Sequence, residues 1–238
     1  MSRGFYRDLI ADASAPYRGA GRFAWHFARG KLALDPVFPA LLSLALIPDR
    51  ARILDLGCGQ GLLLALLTAA RNRFESREWS ADWPPPPRVD SYRGIEIMAR
   101  DVDRARRAWG VLGSFHQGDI RMATFGSCNV VVLLDVLHYL DYPAQGDLLG
   151  RVSKALEPSG VVLLRVGDAA GGLPFRIGQW VDRAVMTARG HRLSMLHCRP
   201  VRDWCGQLES LGFAVEVQPM SEGTPFANVL LIARSGGR

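Results

Sequence analysis

Four carboxylates stand at the ends of short apolar runs: Asp55, Glu96, Asp119 and Asp135. A carboxylate there suits a nucleoside ligand, because its two oxygens can accept both hydroxyls of a ribose, and Glu96 holds the place for that role. Between the first two lies Gly57-Cys58-Gly59-Gln60-Gly61. Three glycines in five residues let backbone approach a ligand where a Cβ would clash. An apolar helical run opens directly after them, and its first N–H groups have no partner within the helix. His138 follows the last residue of the fourth run, Asp135, by three positions. Histidine titrates in the range needed to take a proton from a hydroxyl. Asp135 could orient that imidazole or a ligand amine, and Tyr139 could stack on an aromatic ring. For each residue a structural reading stands beside the functional one. Glu96 could close a salt bridge, Asp119 could cap a turn, and His138 could simply pack.

These residues need strands to place them and helices to return the chain. The pattern is read as strands over Arg52–Leu56, Tyr92–Ile97, Phe115–Ile120, Asn129–Leu134 and Val161–Val166. Helices over Gly61–Ala70, Asp101–Trp109 and Pro143–Leu156 alternate with them. The fourth run, Asn-Val-Val-Val-Leu-Leu, is apolar almost throughout, as a parallel strand buried on both faces reads. Leu156-Glu157-Pro158-Ser159-Gly160 is expected to turn. Further on, Leu173–Arg192 and Pro200–Leu211 read as helices. Phe213–Pro219 and Phe226–Ala233 read as a closing antiparallel hairpin. Residues 1–48 are expected to be helical: Arg3–Ala13, Tyr17–Gly30, and a helix from the Asp35-Pro36 cap to Ile47. Residues 71–91 contain Trp79, Trp83 and Pro84-Pro85-Pro86-Pro87. They read as an insertion, either a lid or docking surface or a disordered loop. The expected fold class is α/β: a Rossmann-like, mostly parallel seven-stranded sheet with helices on both faces, an antiparallel last strand and an N-terminal helical cap. A single domain over 1–238 is expected, with the cap at 1–48 and the core at 49–238.

A dinucleotide loop would read G-x-G-x-x-G, and Leu62 occupies the place of its third glycine. The remaining Asp55-x-Gly57-x-Gly59-x-Gly61 resembles the nucleotide loop of class I S-adenosylmethionine (SAM) dependent methyltransferases. The likeness spans roughly residues 50–234. It implies SAM as cofactor, held by Asp55, Gly57, Cys58, Gly59, Gly61, Glu96 and Asp135. It also implies an adenine corner: Asp119 accepts from the exocyclic amine, and Ile97 or Met98 on one side and Ile120 on the other sandwich the ring. His138, with Asp135 and Tyr139, would then serve catalysis. One or two of Tyr17, Arg18, Arg29 and Lys31 in the cap would meet the ligand carboxylate or the substrate. Tyr17-Arg18-Gly19, Arg29-Gly30-Lys31 and Leu163–Asp168 also resemble the small methyltransferases found with aryl-polyene and fatty-acid-like pathways. That would imply an aromatic or acyl acceptor, free or on an acidic carrier protein, with O-methylation favoured. The alternatives are an RNA or protein methyltransferase and a SAM-binding partner subunit without catalysis. The D/N-P-P-Y/F motif for nitrogen acceptors is absent, since Val136-Leu137-His138 follows Asp135. No appended RNA-binding module is visible.

Composition narrows the setting. The 238 residues, 48% of them hydrophobic, can bury one sizeable core. The net charge of +6 leans toward an anionic small molecule, an acidic carrier protein or nucleic acid, with a plain solvated basic surface as the alternative reading. Four cysteines, none in C-x-x-C, argue against a disulfide framework and for a reducing, cytoplasmic setting. His197, Cys198 and Cys205 match no common zinc spacing, and no metal is expected. The longest apolar segment, Val37–Ile47, contains Pro39 and is too short to span a bilayer. The N-terminus lacks the apolar core of a signal peptide.

Overall fold

The computed structural model describes residues 3–172 and 196–236. The expected helix over Leu173–Arg192 lies outside them. Seven strands form a sheet, mostly parallel with an antiparallel end, as the sequence patterning led us to expect; numbered in chain order, they run β3 (Ser114–Gln117), β2 (Val89–Glu96), β1 (Ala51–Leu56), β4 (Cys128–Leu134), β5 (Leu156–Gly167), β7 (Asn228–Ser235), β6 (Phe213–Pro219). The chain divides into two compact units, residues 1–124 and 125–238.

The first unit opens with α1 (Arg3–Ser14), a 3₁₀ segment (Ala15–Ala20), α2 (Arg22–Leu34) and α3 (Val37–Ser43). The single helix expected over Tyr17–Gly30 is therefore split. Pro16 lies in the 3₁₀ turn, and Gly21, at φ +110°, separates it from α2. α3 stops at Ser43, short of the expected Ile47. Ala45 takes the left-handed conformation, its N–H donates to Leu42 O, and Leu46 N–H donates to Leu41 O. This is a Schellman ending built on alanine rather than glycine, which is why no sequence signal announced it. Asp35 acts as expected at the start of α3, accepting the Val37 N–H at 3.1 Å.

β1 (Ala51–Leu56), α4 (Leu62–Glu75), β2 (Val89–Glu96), α5 (Ala99–Trp109) and β3 (Ser114–Gln117) complete this unit. β1 and β3 both pair with β2 in parallel, Asp55 opposite Gly94 and Glu96 opposite Gln117. Eight residues of α4 are buried, from Leu62 to Ala70. The helix then continues to Glu75, five residues beyond expectation, with an Arg71–Glu75 ion pair on its exposed last turn. The proline-rich segment is ordered by packing against α1. Phe5 meets Trp79 and Trp83 edge-on at 5.1 and 5.7 Å, Tyr6 stacks on Trp83, and Trp79 Nε1 donates to Pro84 O. Its prolines remove backbone donors that would otherwise need partners, and its tryptophans supply the buried area. β3 is the edge of the sheet, and the Arg106 guanidinium donates to its Phe115 carbonyl at 2.9 and 2.7 Å. That covers an acceptor which would otherwise invite strand pairing.

The second unit holds β4 (Cys128–Leu134), a 3₁₀ turn (Leu137–Tyr139), α6 (Tyr142–Ala155), β5 (Leu156–Gly167), α7 (Val201–Ser210), β6 (Phe213–Pro219) and β7 (Asn228–Ser235). Val130 to Leu133 of β4 are fully buried, as are Val162 to Leu164 of the parallel β5. β7 runs antiparallel to both β5 and β6. The turn expected at 156–160 is absorbed into β5 as an irregularity. Cys128 pairs with Leu156 and Val130 already with Val161, while Ser159 takes φ +63°. The bulge accommodates the left-handed residue without ending the strand.

Candidate active site

In the first unit the glycine loop turns on three left-handed residues, Gly57 (φ +78°), Gly59 (φ +54°) and Gly61 (φ +81°). β2 passes close beneath it. The Gly57 N–H donates to Ile95 O at 2.8 Å, and a Cβ on Gly94 would lie 2.6 Å from Cys58 Sγ. Above Gly59, by contrast, a Cβ would meet nothing within 4 Å. The loop is thus packed on one side and open on the other, as a ligand cradle must be.

Glu96 closes this corner. It is 8% exposed, and its carboxylate accepts from Gly59 N at 3.0 Å and Met98 N at 2.9 Å. A carboxylate has about four acceptor positions, so two remain for a ligand. Burial raises its pKa above the ordinary range, and the amides from Met98 and Gly59 offset part of that shift. The salt-bridge alternative for Glu96 is not what is found; backbone amides hold it. Asp55 lies deeper, accepting from the Tyr92 hydroxyl, and burial pushes its pKa up to about 7. Cys58 is buried too, and the same cause lifts its thiol above the usual range.

The adenine-corner residues sit just past β2 and β3. Ile97 is 57% exposed and Ile120 is buried. Asp119 accepts the Arg121 N–H at 2.9 Å and is gripped by the Arg121 guanidinium, which holds its carboxyl below the usual range. The turn-capping alternative for Asp119 is therefore realised, whatever it also does for a ligand.

Cap residues reach this loop by a route that sequence reasoning missed. Tyr17, fully buried, donates its hydroxyl to Gln60 O at 2.8 Å, and Gln60 Nε2 donates to Ala24 O at 2.9 Å. A glutamine among three glycines carried the signal, since a polar side chain in an apolar neighbourhood must find backbone partners. The expected roles of the neighbouring cations fare differently. Lys31 pairs with Asp35 at 2.7 Å, while Arg18 and Arg29 lie over the Trp25 ring.

In the second unit Asp135 follows β4 in a left-handed conformation at φ +59°. Arg165, on the neighbouring β5 and 2% exposed, grips it with both guanidinium arms, Nε at 2.8 Å from Oδ1. The 3₁₀ turn that follows carries His138, which is buried, and Tyr139, whose ring centroid lies 4.1 Å away. Gln145 of α6, fully buried, fastens this turn. Its Nε2 lies within hydrogen-bond distance of Leu137 O, Leu140 O and His197 O (3.0, 3.0 and 2.7 Å), and its Oε1 accepts from Arg199 Nε. The His197 N–H donates to His138 O at 2.9 Å. His197 thus belongs to a hydrogen-bonded brace, which the Tyr142 hydroxyl extends by donating to Cys198 O at 3.2 Å, and among the described residues no group of three or more metal-ligating side chains occurs.

The family model described as "Methyltransferase domain" matches residues 24–218. The chain belongs to this family. It is a methyltransferase by that membership. No curated relative matches the sequence. Among solved structures it is similar to an O-methyltransferase family protein from Burkholderia thailandensis (19% identity, TM-score 0.59, covering 92% of this chain and 62% of that one). It is also similar to the magnesium protoporphyrin IX methyltransferase ChlM of Synechocystis PCC 6803 with bound SAH (17%, TM-score 0.59, 98% of each). A third likeness is to the mitomycin 7-O-methyltransferase MmcR (19%, TM-score 0.60, 99% and 62%). The chain spans about three fifths of the first and third of these proteins. These matches support the family and the fold, not the narrower pigment-pathway likeness.

Proposed function

We propose that this methyltransferase acts on a small aromatic or acyl acceptor, free or carried on an acidic protein, with oxygen as the methylated atom. The observation that carries the cofactor side is Glu96, amide-held at the end of β2 beside an open glycine loop. Glu96 would take the ribose hydroxyls. Asp55, Gly57, Cys58, Gly59 and Gly61 would shape the loop around the ligand. Ile97, Met98, Ile120 and Asp119 would receive the adenine. SAM supplies a methyl group already activated on a sulfonium, so the chain's task is positioning and proton removal. We assign the proton to His138, with Tyr139 stacking on the acceptor. Asp135 would serve less as a second base than as an orienting group, since Arg165 already holds it. The named acceptors of the solved neighbours, mitomycin and magnesium protoporphyrin IX, are small molecules, which favours this reading over an RNA or protein acceptor. A single domain with a helical cap remains our reading of the chain, and four free cysteines favour a reducing, cytoplasmic setting.

Calorimetry with S-adenosylhomocysteine tests the cofactor half: no binding at millimolar ligand would end it. For the acceptor half, His138→Ala should lower kcat by roughly 10²–10⁴-fold with unchanged S-adenosylhomocysteine affinity, and activity should recover at high pH. A variant with wild-type kcat would return His138 to packing.

A further inference from the structure

The cap has an unbalanced face. Residues 1–48 contain six cations and three carboxylates. The carboxylates are ion-paired: Asp12 with Arg73 of α4, Asp35 with Lys31, and Asp8 with Arg7, the last pair on the α1 side of the groove described next. Among the described residues Arg18, Arg22 and Arg29 have no carboxylate partner. Arg18 and Arg29 instead share one ring, lying 5.2 and 5.0 Å from the Trp25 centroid. Arg22, Trp25 and Arg29 recur at helical spacing and so share one face of α2. Two like charges on one indole leave a surface that gains from an anion.

Beside this face, α1 and α2 enclose an open groove of about 680 Å³. Its lining includes Ile10, Ala11, Gly30, Ala33 and Leu34, with Arg29 and His26 on the basic side. Two features suit it to a third helix. The small residues Ala11, Gly30 and Ala33 let another backbone come near, and a Cβ at Gly30 would meet nothing within 4 Å. Leu34, 79% exposed, offers apolar area with nothing over it; Phe23, about three turns away on α2 and 55% exposed, stacks on Phe27 with Arg104 over its ring. Exposed aromatics among arginines are the composition of binding hot spots.

We propose that this groove docks an acidic amphipathic helix of a partner protein, its apolar side on Leu34 and the small residues, its carboxylates on Arg18, Arg22 and Arg29. A nucleic acid fits less well, because the arginines cover one short helix face beside an apolar floor instead of tracking a phosphate backbone. The surface lies on the cap alone and does not depend on which acceptor is methylated.

The probe is a fluorescein-labelled, 18-residue Glu/Leu peptide with helical amphipathic spacing, titrated against the full chain by anisotropy. Saturable binding that weakens with salt is expected. Arg22→Glu with Arg29→Glu should weaken it at least tenfold. The uncharged Ala33→Gln, which fills the groove, should also weaken it several-fold. Unchanged thermal midpoints show that the variants are folded. Three results would overturn the proposal: no binding; equal binding by a scrambled peptide of the same composition, which would mean charge attraction alone; or tighter binding of a (dT)₁₂ oligonucleotide, which would assign the face to nucleic acid.

Discussion

Glu96 and Asp135 read alike in the sequence, each an acid closing an apolar strand, yet the two units treat them in opposite ways. Glu96 is held by two backbone amides, and among the described residues no cation pairs with it. Asp135 is held by a guanidinium that occupies both of its oxygens. An amide-held carboxylate keeps acceptor capacity and charge for a ligand. A carboxylate clamped by arginine has spent most of both, and its job becomes holding the backbone that follows it. The difference lies in the neighbours: β2 ends against the loop's N–H groups, whereas β4 ends beside Arg165 on β5.

The comparison can be broken in four places. Asp55 is the extreme of the first unit, a buried acid whose pKa stands at about 7 against an ordinary value of 3.8. Its folded pKa is raised, so it favours the fold below about pH 4, and that contribution is lost as pH rises through about 7. Over this window wild type should lose up to about 4 kcal/mol relative to Asp55→Asn. Urea unfolding at pH 4.5 and 7.5 measures this; parallel slopes for the two proteins would show that Asp55 is not protonated in the fold. Next in size is Arg165→Met, which strands Asp135 and should cost about 3 kcal/mol, moderated because the carboxylate is partly solvated. The added change Asp135→Asn should restore much of that stability. Failure of the double variant to recover would mean that Arg165 acts through packing.

Glu96→Ala should weaken S-adenosylhomocysteine by about 1.5–3 kcal/mol in calorimetry, since a charge-assisted acceptor is lost. Asp135→Asn tested the same way should cost less; the reverse order would invert the comparison. The smallest effect belongs to Asp119→Asn, an exposed pair with Arg121, whose stability cost should stay below about 1 kcal/mol. A larger loss confined to ligand affinity would promote Asp119 to a true adenine contact.

Local pattern was enough to read the strands, the glycine turn and the acid at each strand end, because period, glycine and burial leave marks within a few residues. The Ala45 helix ending escaped, since alanine there resembles any other helix residue. So did the packing of Trp79 and Trp83 on α1, which joins positions more than seventy residues apart. Gln145 looked like an ordinary polar residue until burial made its amide an obligatory donor, and Gln60, though set off by its glycine neighbours, gave no hint that its partner would be Ala24.

By itself, then, the sequence determined the α/β order, the methyltransferase family and which carboxylates could matter, because these follow from residue type and short spacing. Only the tertiary structure decided which carboxylate is held by amides, which is clamped by a guanidinium, and which turn Gln145 holds. Those outcomes depend on which N–H or guanidinium a distant segment brings within 3 Å, and no local pattern encodes that distance.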